Sequence, residues 1–167
     1  STGIPSGLLG ARAAHIQIAL ADGRVLLAGG ERSSFPFVPL ATCEIFDPVA
    51  GTFASAPSMH FARSFAHAAR IEGGRVLVTG GQGLATDGVR LIFRADAEIF
   101  DPAAGTWTLV GSRMEAGRSA HFTAATAAGD VGVGAIPLID SFAAYADASV
   151  SSGVMFSTVS ARRMVAS

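Results

Sequence analysis

Apolar residues in this chain fall in short runs separated by turn residues, and the runs recur in a fixed order. Residues 16–20 form one stretch; Asp22-Gly23-Arg24 leads into Val25-Leu26-Leu27-Ala28, closed by Gly29-Gly30. After a loop come Glu44-Ile45-Phe46-Asp47-Pro48 and Gly51-Thr52-Phe53. The succession then returns: residues 68–71, Gly73-Gly74-Arg75, Val76-Leu77-Val78-Thr79, Gly80-Gly81, Glu98-Ile99-Phe100-Asp101-Pro102, and Gly105-Thr106-Trp107. No sustained 3.6-residue periodicity supports helices. Four short apolar stretches per repeat, divided by turn residues, predict a four-stranded antiparallel sheet. A repeat of roughly 50 residues with four strands predicts propeller blades.

The turns carry their own chemistry. Asp47-Pro48-Val49-Ala50-Gly51 and Asp101-Pro102-Ala103-Ala104-Gly105 place proline where its fixed φ suits a turn and glycine where a positive φ is needed. Each repeat is preceded by an arginine and then a histidine: Arg12 with His15, Arg63 with His67, and Arg118 with His121. Met59 and Met114 stand at matching places before Arg63 and Arg118.

These elements in this order resemble the kelch-repeat β-propellers, in the form common among bacterial repeat proteins. The pattern is Arg-x-x-His, Asp-Gly-Arg-Val-Leu, Gly-Gly, Glu-Ile-Phe-Asp-Pro, and Gly-Thr followed by an aromatic. The resemblance spans about residues 1–130 and implies an all-β, partial kelch-type propeller. Blades are expected at about 12–58 and 63–114, with an incomplete third starting at 118. Its structural residues would be Arg12, His15, Gly29, Gly30, Arg63, Gly80, Gly81, Trp107, Arg118 and His121. One departure stands out: Ala66 takes the expected histidine position in the second repeat, with His67 one later, which puts the local register in question. A copper-radical oxidase is the notable enzymatic relative of such propellers. Its site requires two tyrosines, whereas Tyr145 is the only one here and lies outside the matched region.

The ends depart from the pattern. Residues 1–11 align with the stretch from Trp107 to Arg118, which predicts the tail of an outer strand from a preceding blade. After Val131 the motif dissolves: Ala135-Ile136 stand where Gly-Gly should be, and no Glu-Ile-Phe-Asp-Pro follows. Residues 131–167 are expected to be a degenerate blade, a short helix near 141–150, or a tail. Propellers commonly close with four to eight blades, so open blade sides imply the remaining blades of a larger ring, or self-association.

Composition narrows the function. Half of the 167 residues are hydrophobic, 15% are charged, and the net charge is -1. That gives no electrostatic case for nucleic acid or an anionic membrane surface. All 12 basic residues are arginine, which excludes lysine Schiff-base and P-loop mechanisms. The single Cys43 cannot make an internal disulfide. No apolar run of membrane-spanning length is free of charge. The compartment stays open, with an extracellular or periplasmic one slightly favoured.

Candidate chemistry is sparse. The Gly-Gly pairs suggest a phosphate cradle, but a dinucleotide fingerprint needs glycine at Thr86 and a helix after it, so backbone crowding at a strand end is the expectation. His15, His67 and His121 invite a metal reading, yet the shift at His67 spoils convergence; neither metal nor cofactor is expected. A repeated arginine and histidine reads instead as a hydrogen-bonding device between blades. Glu44 and Glu98, equivalent in successive repeats, read as solvent-facing or inter-blade residues and not as an acid/base pair. No nucleophile elbow is present. What distinguishes the repeats is their loops. Connections at 21–23, 73–74 and the Asp-Pro turns are short and uniform, whereas residues 31–40 and 82–94 are longer and varied. Those loops carry Arg32, Phe35, Phe37, Arg90, Phe93 and Arg94, a composition suited to binding hot spots or, equally, to packing under the loops. The expectation is a non-enzymatic module binding a protein, or a carbohydrate, through one propeller face. The alternatives are an assembly fragment of a larger propeller and a non-catalytic part of a kelch-bladed enzyme.

Overall fold

The computed structural model describes residues 8–32, 38–111, 113–125, 131–134 and 156–159. Within them the protein is an all-β partial propeller of antiparallel blades. The first blade is β1 (Ile16–Ala19), β2 (Val25–Ala28), β3 (Cys43–Asp47) and β4 (Thr52–Ala56), paired in that order. The second repeats it with β5 (His67–Arg70), β6 (Val76–Thr79), β9 (Ala97–Asp101) and β10 (Thr106–Leu109). Between β6 and β9 a separate two-stranded hairpin, β7 (Gln82–Leu84) and β8 (Leu91–Phe93), occupies a stretch expected to be loop. A third sheet joins β11 (Phe122–Ala125), β12 (Val131–Gly134) and β13 (Phe156–Val159). Residues 156–159 thus supply a third strand despite lacking the motif. The expected helix near 141–150 and residues 1–7 lie outside the described residues.

The turns form as their residues dictate. Asp47 accepts hydrogen bonds on its carboxylate from the N–H groups of Val49 (2.8 Å) and Ala50 (3.1 Å), and Asp101 does the same for Ala103 (2.9 Å) and Ala104 (3.1 Å). Gly51 and Gly105 follow at φ 67° and 65°, a region that glycine enters without a Cβ penalty.

Blades join at their inner strands by a repeated backbone device. Ala14, Phe65 and Ala120 occupy equivalent positions with φ 51°, 52° and 49°. Phe65 N–H donates to the Ala14 carbonyl and Ala120 N–H to the Phe65 carbonyl, each at 3.0 Å. Farther out, Gly30 N–H donates to the Arg63 carbonyl (2.9 Å) and Gly81 N–H to that of Arg118 (2.8 Å). Glycine is required there. At Gly30 (φ 93°) a Cβ would stand 2.6 Å from the Ala13 carbonyl oxygen, and at Gly81 (φ 94°) 2.7 Å from that of Ser64.

This alignment settles the register at His67, with Ala66 at the histidine position as the sequence placed it. Ala66, not His67, is the counterpart of His15, and His67 is the counterpart of Ile16: β1 pairs Ile16 with Ala28 and β5 pairs His67 with Thr79. Strand 1 is not slipped; only the side chains differ.

The core lies between blades. Ile16, Leu26, Ala28 and Cys43 of the first blade pack with Val76, Val78, Phe100 and Trp107 of the second. Phe100 and Trp107 are tilted against each other at 5.0 Å, and Trp107 Nε1 donates to the Pro57 carbonyl at 2.8 Å. Between the second and third blades, Leu77, Ala97, Ile99, Val110 and Met114 pack with Val133.

Candidate functional site

The repeated arginine and glutamate build a buried station inside each blade. Arg63 is fully buried on the segment entering β5. Its Nη1 donates to the Gly80 carbonyl (2.8 Å), and its Nη2 donates to Asp96 Oδ1 (2.8 Å) and Glu98 Oε1 (2.7 Å) on or beside β9. Glu98, also fully buried, accepts the N–H groups of His60 (2.7 Å) and Phe61 (3.2 Å) and meets His60 Nδ1 at 2.9 Å. Thus the glutamate holds the inter-blade linker, and the arginine clamps the linker to its own blade. The first blade repeats the station: Arg12 donates to the Gly29 carbonyl (3.0 Å), the Thr42 carbonyl (2.8 Å) and Glu44, which also accepts Leu9 N–H (2.9 Å).

One expectation is narrowed here and one corrected. Glu44 and Glu98 do not face solvent: each is buried and bound by an arginine of its own blade and by amides of the linker entering that blade, so of the two expected placements the inter-blade one fits. The arginine side chain acts within its blade; its backbone bridges to the preceding one, Arg63 N–H donating to the Leu40 carbonyl (3.0 Å) and its carbonyl accepting from Gly30 N–H (2.9 Å). Desolvation alone would raise the Asp96 carboxyl, but the hydrogen bond from Arg94 and the charge of Arg63 outweigh it and hold Asp96 below the usual carboxylate range.

Among the described residues the third blade shows no such station. Ser157 stands at the register position of Glu44 and Glu98, since Leu27 pairs with Glu44, Val78 with Glu98 and Val133 with Ser157. Among the described residues no carboxylate pairs with Arg118, whose Nε reaches the Ala116 carbonyl at 3.5 Å.

The short turns Ala21-Asp22, Gly73-Gly74 and Pro102-Ala103 line one cleft, so they share a face. The long connections and linkers occupy the opposite side, and the expected binding residues separate there. Arg32 is exposed, with its N–H bonded to the Val38 carbonyl at 3.2 Å. Phe35 and Phe37 lie outside the described residues. Arg90 is exposed and paired with Asp87 at 2.9 Å; Phe93 is 60% exposed. Arg94 is the correction: it is buried, its Nη2 donates to Asp96 Oδ2 (2.7 Å), and its guanidinium lies 4.0 Å above the Phe61 ring. It fixes the base of the hairpin and is not available to a ligand.

Sequence reasoning missed Leu91 (55% exposed), Ile92 (38%) and Val89 (79%), which with Phe93 form an exposed apolar tip on the hairpin, and Phe65, 42% exposed at the inner end of β5. The signal was the run Val89-Arg90-Leu91-Ile92-Phe93, read as loop when Leu91–Phe93 is strand. Gln82 and Ser64 exchange both backbone hydrogen bonds (2.7 and 2.9 Å), tying this hairpin to the segment that carries Phe65.

Cys43 is buried, which pushes its thiol up to about 11 and leaves it unreactive. Among the described residues there is no group of three or more His, Cys, Asp or Glu able to hold a metal ion, and no helix long and apolar enough to cross a membrane.

No family model and no curated protein matches this chain. Solved structures do. A fungal alcohol oxidase of the AA5 family, in complex with copper, matches with a TM-score of 0.61 and 18% identity, over 74% of this chain and 27% of that one. YjhT matches with a TM-score of 0.64 and 18% identity, over 79% of this chain and 36% of that one. The chain therefore spans about a third of the length of these structures or less, and the likeness is one of fold.

Proposed function

We propose that this chain is a non-catalytic, kelch-type binding module that takes a protein partner on its long-loop face. The observation that carries this reading is the solvent-facing run Leu91-Ile92-Phe93, continued by Val89, on a hairpin whose base is locked by Arg94 and Asp96. Exposed apolar side chains on a rigid support match the anchors of protein interfaces. The opposite face offers short turns in which Asp22, Asp47 and Asp101 accept local backbone N–H groups. The test is a double substitution, Leu91→Ser with Phe93→Ser, read by partner capture and by oligomer mass. The proposal expects loss of the partner at unchanged mass.

A second reading, assembly through an open blade side, has its own support. Val76, Phe100 and Trp107 are buried under the first blade, whereas their counterparts Val25, Phe46 and Phe53 are partly exposed. In the same experiment, a partner retained by the double variant favours this reading, as does a change in mass when Phe46 or Phe53 is made polar.

A further inference from the structure

The two seams between blades are built from the same positions but opposite chemistry. Where the first and second blades meet, the inner positions hold Ile16, Ala28, Ala66 and Ala68, all in or against one apolar cluster. Where the second and third meet, the equivalent positions hold His67, Thr79, His121 and Thr123. The equivalence follows from the registers, since Ile16 pairs with Ala28, His67 with Thr79, and Phe122 with Gly134 just after His121. Four apolar residues at one seam are thus replaced by a polar network at the other.

That network rests on a lone pair at His67 Nδ1 and on the buried ring of His121. Thr123 N–H donates to His67 Nδ1 at 3.1 Å, which requires a lone pair on that nitrogen. A proton there would set two donors against each other. His121 is 3% exposed; its Nε2 lies 2.8 Å from Thr79 Oγ1, which lies 2.7 Å from Thr123 Oγ1. Its Nδ1 is buried with no partner, so a charged ring would bury an unsatisfied N–H. The charged or titratable groups acting on His121 are His67 from β5 and Arg118 from its own segment, and both oppose a positive charge. The rings of His67 and His121 lie 6.2 Å apart. Backbone bonds from Ala120 to Phe65 and from Gly81 to Arg118 flank this patch.

We propose that the seam between the second and third blades is a proton-operated clasp, which acid loosens while the seam between the first and second blades stays shut.

Burial, with help from His67 and Arg118, lowers the His121 pKa from 6.5 to about 4. The sign follows directly. The neutral ring's contribution to closure is complete above the free value of 6.5 and is lost as pH falls from there toward about 4. At pH 4.5 the opening equilibrium of this seam should rise by something on the order of tenfold to a hundredfold from His121 alone.

The experiment is amide hydrogen exchange on the full chain at pH 7.5 and 4.5, corrected for intrinsic rates. Residues 122–125 should lose at least about tenfold in protection at the lower pH, while residues 16–19 and 25–28 keep theirs. A non-titrating pair, His67→Asn with His121→Gln, retains an acceptor near each position and should keep the pH 7.5 protection with no acid response. Transplanting the other seam, as His67→Ile, Thr79→Ala, His121→Ala and Thr123→Ala, should also remove the response. The proposal is overturned if wild-type residues 122–125 hold their protection at pH 4.5, or if the Asn/Gln pair responds as wild type does. Equal loosening of both seams would likewise overturn it, by assigning the acid effect to the carboxylates common to the blades. Should the fourfold variant not fold, the Asn/Gln pair alone decides.

Discussion

The arginine stations allow one substitution to be made at three equivalent positions with three different expected costs. Removing one partner of a buried ion pair costs about 3–5 kcal/mol, because the remaining charge is left buried and uncompensated. At Arg63 the stranded groups are Asp96 and Glu98, but neither is wholly orphaned. Asp96 keeps Arg94, and Glu98 keeps two linker amides and His60. The ionic loss therefore falls at the low end, near about 3 kcal/mol. Losing the bond to the Gly80 carbonyl adds about 1 kcal/mol, so Arg63→Leu should cost about 3–4 kcal/mol. Arg12→Leu strands Glu44, which is buried and keeps only the Leu9 amide, so the loss falls at the high end, about 4–5 kcal/mol. Arg118→Leu removes no carboxylate contact among the described residues and should stay within about 0.5 kcal/mol. Urea unfolding reads this series through Trp107, the single tryptophan, buried where the first two blades meet. With slopes of about 1–3 kcal/mol per molar urea, Arg63→Leu should lower the midpoint by at least about 1 M. The reasoning fails if Arg118→Leu is as damaging as Arg63→Leu. It fails equally if Arg63→Leu leaves the midpoint unmoved, which would mean that the buried carboxylates need no partner.

Two further outcomes follow from the glycines and the open side. Gly23 has φ 87°, and a Cβ added there would meet nothing within 4 Å, so Gly23→Ala should cost only the backbone term of about 1–2 kcal/mol. Gly30→Ala and Gly81→Ala add a collision with backbone and should each exceed that by about 2 kcal/mol or more in the same urea assay; equal costs at all three sites would refute the close approach. The partly exposed Val25, Phe46 and Phe53 form a face of the kind that the first blade covers on the second, so this chain should self-associate. Sedimentation velocity across a concentration series should show mass rising with concentration, and a single monomer up to high micromolar concentration would refute it.

Much of this molecule was legible in its sequence because the deciding interactions are local. Asp-Pro turns, glycines at positive φ and alternating short apolar runs act within a few residues, so the four strands of each of the first two blades, their pairing order and the short-turn face could be read from them, but not the β7–β8 hairpin or β13. The periodicity also placed the two good blades and the start of a third. What the sequence alone could not decide depended on neighbours across a blade or a seam. Glu44 and Glu98 could be read as solvent-facing or inter-blade, because only the folded chain brings Arg12 or Arg63 and the linker amides around them. Arg94 looked like a free loop cation until folding set Asp96 and Phe61 against it. His67 looked like a slipped motif histidine; the positive φ shared by Ala14, Phe65 and Ala120 shows the register intact, with an imidazole where the first blade has isoleucine. The same tertiary arrangement made one seam apolar and the other polar, since each seam draws residues from two blades that lie far apart in sequence and meet only when the strands are stacked.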